Sequence, residues 1–243
     1  MCFILDVWRL KSPYLKFERV CVVNRHFLTF CILALGGIVL SPMAKAAVVP
    51  VQASDMVDVS SVLVSISETN EQGALDFVKS TAETGLTFLS DPDSSEEQKK
   101  KEFKKLLDGS FDLDTIGRFV LGKYWNSATP AQQKEYSSLF RKMVVEVYAG
   151  RFGDYKGQKF EVKSVRSISS KDSLVTSFIY PENGGDPIKV DWRVRKTGAT
   201  YKVVDVLVTG VSMSVTQRSD FASVIQRGGG NIDVLIDYLK NKF

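Results

Sequence analysis

Between residue 69 and residue 149 the apolar positions recur at helical spacing, and after Gly157 the period falls to two. Thr69-Asn70-Glu71-Gln72 reads as a capping box, with Leu75, Val78, Ala82, Leu86 and Leu89 following on one face until Asp91-Pro92 stops the helix. A second helix begins near Ser94, boxed with Glu97, buries Phe103, Leu106 and Leu107, and ends at Asp108-Gly109. Its outer face carries Lys99, Lys100, Lys101, Lys104 and Lys105. Asp112 caps a third, short helix that Gly122 closes, with Phe111 and Ile116 at the two positions of a hydrophobic staple. Thr129-Pro130-Ala131-Gln132 joins a capping box to proline at the first helical position. Tyr136, Phe140, Met143, Val144, Val147 and Tyr148 form the apolar stripe of the helix it opens.

The period-two stretches are Lys159–Val165, Leu174–Tyr180, Ile188–Arg195 and Tyr201–Val208, separated by Ser-, Gly- and Pro-rich turns. They predict a meander of four antiparallel strands. In the third, Val190, Trp192 and Val194 share one face while Lys189, Asp191, Arg193 and Arg195 share the other, so one side of the sheet is apolar and one is wet. Helical segments at Ser219–Gln226 and Ile232–Lys242 follow, parted by Gly228-Gly229-Gly230. Helices, then a sheet, then helices give an α+β architecture.

The first 68 residues break this pattern and change the composition that matters. Residues 27–43 are an apolar run preceded by Arg25 and followed by Ala44-Lys45-Ala46, the layout of a cleavable secretory signal. A membrane anchor is the competing reading. The run is short for a span of about 20 residues and contains Gly36, Gly37 and Pro42, which favours cleavage. We therefore divide the chain into a signal peptide (1–46), a linker or loosely ordered segment (47–68) and one α+β domain (69–243). The full chain has 32 basic and 28 acidic residues; removing the six basic and two acidic residues of 1–46 leaves 26 of each. A neutral mature chain lacks the charge excess that nucleic-acid binding needs. Cys2, Cys21, Cys31 and His26 leave with the signal, so no disulfide, no thiol or imidazole metal ligand and no cofactor site is expected.

Catalysis without histidine or cysteine would have to use a Ser-Lys pair, paired carboxylates or tyrosine. No lysine after residue 46 has a serine three positions before it. Gly210-Val211-Ser212-Met213-Ser214 half resembles a nucleophile elbow but lacks the closing glycine and any histidine to activate Ser212. Asp91/Asp93, Glu96/Glu97 and Asp112/Asp114 all sit where turns and helix caps use acids. The lysine run at 99–105 reads as a solvated helix face, with an anionic surface or acidic partner as the alternative. Aromatic and branched apolar residues are plentiful around Phe119–Trp125, at Tyr148 and on the sheet. Helices over an apolar sheet face either close on a dry core or stand off to leave a pocket for an apolar ligand.

Phe119-Val-Leu-Gly-Lys-Tyr-Trp-Asn-Ser-Ala-Thr-Pro-Ala-Gln-Gln133 with Phe140-Arg141 and Tyr148, then Val190-Asp-Trp-Arg193, Tyr201-Lys-Val-Val-Asp-Val206, Gly210-Val-Ser212 and Arg218 with Phe221, resembles the periplasmic phospholipid-binding proteins of the Mla system, the toluene-tolerance family. The resemblance runs from about residue 70 to the end. It implies an NTF2-like antiparallel sheet and several helices around an apolar cavity that holds acyl chains. It implies a carrier between an outer-membrane lipoprotein complex and an inner-membrane ABC transporter with its lipid-binding ring subunit, acting without chemistry on the lipid. Tyr148 and Val211 match pocket positions of the family and Lys189 a basic position near the mouth. To these the strand pattern adds Val190, Trp192, Val204 and Val206, and the helices add Leu121, Tyr124, Phe140 and Val144. One branch of the family is associated with hopanoid biosynthesis, which leaves a two-chain phospholipid or a polycyclic hopanoid as cargo.

Overall fold

The computed structural model describes residues 59–182 and 184–243, with side chains from residue 70 onward. The expected signal peptide lies outside these residues. Helices α1 (Val59–Ser90), α2 (Glu96–Ser110), α3 (Leu113–Leu121), α4 (Lys123–Ser127) and α5 (Pro130–Ala149) lead through a 3-10 turn at Phe152–Asp154 into the sheet. Strands β1 (Lys159–Ser167), β2 (Asp172–Tyr180), β3 (Ile188–Thr197), β4 (Thr200–Val208) and β5 (Val211–Ser212) form one antiparallel sheet in sequential order. Helices α6 (Met213–Arg227) and α7 (Asp233–Lys242) close the chain. The α+β class is as expected, with the two-residue β5 added to the four strands.

Several helix starts differ from expectation, each for a local reason. α1 begins at Val59, inside the segment read as a linker, and Thr69–Gln72 lies within the helix. Val59, Val62, Leu63 and Ile66 sit at i, i+3, i+4 and i+7, a helical period that the surrounding serines obscure. The cap of α2 is Ser95 boxed with Gln98, one residue beyond the expected pair. Ser94 is unavailable because its hydroxyl donates to Asp91 Oδ2 at 2.7 Å. α3 and α5 begin at the expected caps: the Asp112 carboxylate accepts from Thr115 N–H, and Thr129 and Gln132 form the reciprocal box.

The sheet register decides which side chains meet. Val190, Trp192 and Val194 face the same way as Val175 and Ser177 of β2 and as Val206 and Val208 of β4. Two bulges interrupt the ladders, at Val162/Ser164 and at Arg193/Val194. The second leaves Val204 as an extra residue, so Val203, not Val204, stands opposite Val194. Strict alternation would have grouped Val204 with Val206, and the bulge breaks that grouping. The opposite face is not uniformly wet either. Asp191 is 3% exposed, accepting from Thr176 Oγ1 at 2.6 Å and pairing with Lys189 at 3.0 Å.

On the same polar face Arg195 grips Asp172 through two hydrogen bonds of 2.7 and 2.8 Å. The Arg195 guanidinium holds the Asp172 carboxyl below its ordinary value near 3.8. A lowered carboxyl stabilises the fold above the unfolded-state pKa and loses that contribution as pH falls through the folded value. The Asp172→Asn variant should therefore lose less stability than the parent between pH about 4 and the acid limit. Denaturant titrations across that range measure it; parallel curves for the two proteins would contradict the assignment.

Candidate functional site

Two separate apolar cores form. The helical core joins Leu107, Leu113, Val120, Leu121, Tyr136, Phe140, Met143, Val144, Phe221, Ile225, Leu235 and Leu239, from α2, α3, α5, α6 and α7. The sheet core joins Ala74 and Val78 of α1 to Val175 and Val194, with Phe77, Phe160, Val162, Val165, Trp192 and Tyr201 packed against them. α1 settles closely there because Gly73 has no side chain; a Cβ at that position would lie 2.2 Å from the Tyr201 hydroxyl. The two cores touch through aromatic rings. Phe111, at the α2–α3 junction, meets Trp192 edge-on at 6.5 Å, and its backbone forms an isolated bridge to Val203 on the edge of β4.

An apolar seam lies outside both cores. Val190, Val203, Val204, Val208 and Met213 are buried yet belong to neither core, and Val206, opposite Trp192, is half-buried. Trp192 keeps its one polar atom turned to the sheet: Nε1 donates to Ser177 Oγ at 2.9 Å, and that hydroxyl in turn donates to the Val190 carbonyl. What remains toward the seam is hydrocarbon. A row of half-buried rings continues along the helices. Phe103 of α2 contacts Tyr148 of α5 at 6.2 Å and Phe152 at 5.3 Å, and Phe152 contacts Phe88 of α1 at 6.2 Å. Half-exposed large apolar chains on the same faces as fully buried ones are the pattern of an apolar space that a ligand would seal.

The expected site residues divide into three groups. Val190, Trp192, Val204 and Val206 lie on the sheet side of the seam, and Tyr148 and Tyr124 are half-buried against the helical core, Tyr148 in the ring row with Phe103. Leu121, Phe140 and Val144 are enclosed by the helical core itself; Phe140 stacks on Tyr136 and meets Phe221 edge-on, and a Cβ on Gly117 would lie 3.1 Å from its ring. Burial there also pushes the Tyr136 hydroxyl far above its ordinary pKa, and it donates to the Gly117 carbonyl at 2.9 Å. Lys189 and Val211 stand apart. Lys189 projects from the polar face with Asp191, and Val211 is 44% exposed on β5. Phe88, Phe103 and Phe152 were not foreseen. Phe152 sits in a turn without any period, Phe88 lies outside the stripe read for its helix, and Phe103 reads as an ordinary helix-stripe residue.

The hydroxyl and carboxylates considered for catalysis have structural work. Ser212 is the N-cap of α6, accepting from Val215 N–H and donating to Asp205 Oδ2 at 2.7 Å. The other Asp205 oxygen accepts from the backbone N–H groups of Val206 and Ser214. Asp112 caps α3, and Asp114 pairs with Arg141 at 2.8 Å. No helix among the described residues is long and apolar enough to cross a membrane.

The fold has counterparts among known proteins. The chain is 25% identical over 162 residues to the toluene tolerance protein Ttg2D of Pseudomonas putida, covering 63% of this chain and 75% of that one. It is 27% identical over 128 residues to the intermembrane phospholipid transport system binding protein MlaC of Haemophilus influenzae, covering 51% and 59%. A phospholipid-binding protein from Ralstonia solanacearum, solved in complex with a phospholipid, superposes with a TM-score of 0.60 at 28% identity, over 69% of this chain and 95% of that one. Phospholipid is the ligand that two of these three names carry, and none lends support to a hopanoid. The MlaC protein family model matches residues 79–241, and the chain belongs to that family.

Proposed function

We propose that this protein is a periplasmic carrier that holds the acyl chains of a phospholipid in the seam between its two cores and moves the lipid between membranes unchanged. The observation that carries the reading is the likeness to a phospholipid-bound structure over nearly all of that structure's length. The seam supplies what such a ligand requires. Each buried methylene contributes about 0.8 kcal/mol, so two acyl chains are retained strongly by Trp192, Val190, Val206 and the Phe88–Phe103–Phe152 row without a single specific polar contact. The residues proposed to line it are those six with Tyr148, Tyr124, Val204 and Val208. Leu121, Phe140 and Val144 then act from behind, as the wall that keeps the helical side rigid.

Transport without reaction agrees with the uses of Ser212, Asp112 and Asp114 as caps and ion-pair partners. An inner-membrane ABC transporter with its ring subunit and an outer-membrane lipoprotein complex are the partners this reading implies. Native mass spectrometry of protein purified from the periplasm tests it. The expected spectrum shows the chain beginning near residue 47 with one glycerophospholipid of unaltered mass. Repeated absence of lipid, a polycyclic hydrocarbon in its place, or a hydrolysed lipid would each overturn a stated part of the proposal.

A further inference from the structure

On the α3–α4–α6 surface the structure gathers charge of one sign with exposed hydrocarbon. Arg218 of α6 lies 5.2 Å over the ring of Phe119 and so close to Gly122 that a Cβ there would meet its Nε at 2.8 Å. Arg118, next to Phe119 in α3, lies 5.0 Å over Trp125, and Lys123, next to Gly122, lies 5.2 Å over Tyr124. All three cations are exposed, and among the described residues none of them forms an ion pair with a carboxylate. Phe119 is 43% exposed. Val215, one turn before Arg218 on α6, is 51% exposed, and Val211 precedes it by a further turn's length at 44%. On α2, by contrast, three of the five lysines are paired, leaving Lys99 and Lys101 without an ion pair among the described residues. Lys100, Lys104 and Lys105 are each neutralised, by Glu146, Asp108 and Glu102.

We infer that the surface formed by Arg118, Phe119, Lys123, Val211, Val215 and Arg218 docks on an anionic lipid bilayer. Charge complementarity selects the occupant. Three cations stand 5.0–5.2 Å over aromatic rings and form no ion pair among the described residues, although the chain after residue 46 is neutral overall. Their complement must supply diffuse negative charge together with an apolar layer for Phe119 and Val215. A headgroup layer supplies both and requires no fixed register. Each cation near such a surface contributes roughly a fivefold gain in affinity, so three give a contact that forms and releases readily. The inference goes beyond the carrier reading and does not rest on it.

The test is sedimentation of the purified full-length mature protein with vesicles of phosphatidylcholine alone and of equal parts phosphatidylcholine and phosphatidylglycerol. Binding is expected only to the anionic vesicles and should fall as salt is raised. The double variant Lys123→Gln, Arg218→Gln should bind about thirtyfold more weakly. Lys99→Gln with Lys101→Gln on α2 removes the same charge elsewhere and should leave binding unchanged; circular dichroism checks that each variant is folded. No binding to anionic vesicles at low salt, or equal losses in the two double variants, overturns the inference. Retention of the parent's binding in the Lys123, Arg218 variant does so as well, as does capture of an acidic protein partner by this surface with no vesicle binding. Native mass spectra separate this from the carrier reading: lipid-loaded protein that ignores vesicles refutes only the docking surface, and vesicle binding by protein that never carries lipid refutes only the carrier.

Discussion

Replacing Phe221 with alanine should remove about 3–5 kcal/mol of stability, the largest single-residue effect we expect in the helical half of the molecule. Phe221 is 1% exposed and stands where three helices converge, meeting Tyr136 of α5 edge-on at 6.2 Å and Phe140 at 6.5 Å. Those rings cannot collapse into the space left behind. Tyr136 is tied by its hydroxyl to the Gly117 carbonyl, and Phe140 is pressed against the bare backbone of Gly117. The cavity therefore persists, and the cost approaches the upper part of the range. A domain of this size is stable by roughly 5–15 kcal/mol, so the variant is left marginal. Urea midpoints measure the effect, with Phe221→Leu giving a smaller loss in the same direction should the alanine variant fail to fold. Phe119→Ala is the counterpart on the same pair of helices, and its partial exposure limits the change to within about 0.5 kcal/mol. Similar losses at Phe221 and Phe119 would mean that the helical core is not where the stability of these helices resides.

How far this was legible in the sequence depended on whether the deciding interaction was local. Thr129, Asp112 and Gly122 act within four residues of themselves, and the helices they bound were readable from their pattern. Ser94 and Ser95 each begin a valid capping box, and the choice between them is made by Asp91, which occupies the Ser94 hydroxyl. The start of α6 was harder still. Ser212 caps it with the help of Asp205 on β4, a partner that periodicity cannot supply, and the expected start at Ser219 fell short by most of two turns. The same distinction governs the site. A stripe with a period of 3.6 states that Phe140, Val144 and Tyr148 share a face, but not that the first two point into the helical core while Tyr148 reaches toward Phe103. Alternation along β3 correctly set Val190 and Trp192 together, whereas the bulge at Val204 depends on pairing with the neighbouring strand. The residues of the seam were thus visible as apolar; that they fall outside both cores was not.

A carboxylate placed at Val206 should abolish lipid retention, while one placed at Val211 should leave it intact. Family resemblance offered Val211, with Tyr148, as a pocket position and the strand pattern offered Val206, and the structure gives the two valines opposite surroundings. Val206 lies directly across the strands from Trp192, half-buried on the apolar face and outside both cores. On the face an aspartate there would share, β3 carries Lys196, four residues along from Trp192 and engaged with Asn70 and the Tyr201 ring, while Arg193 and Lys189 project from the other side. Holding an unpaired carboxylate against acyl chains costs several kcal/mol, and at about 1.4 kcal/mol per tenfold the bound lipid is retained at least roughly a hundredfold less well. Val211 is 44% exposed on the short β5, where an aspartate keeps its hydration and meets no hydrocarbon ligand. Lipid extracted from equal amounts of Val206→Asp, Val206→Ala and Val211→Asp protein measures the difference. The alanine variant should remain loaded, because it shortens one wall of the seam without charging it, and a matching melting temperature for the two Val206 variants shows that the fold survives. Loss of lipid from Val211→Asp with retention in Val206→Asp would move the ligand out of the seam and onto the β5 edge.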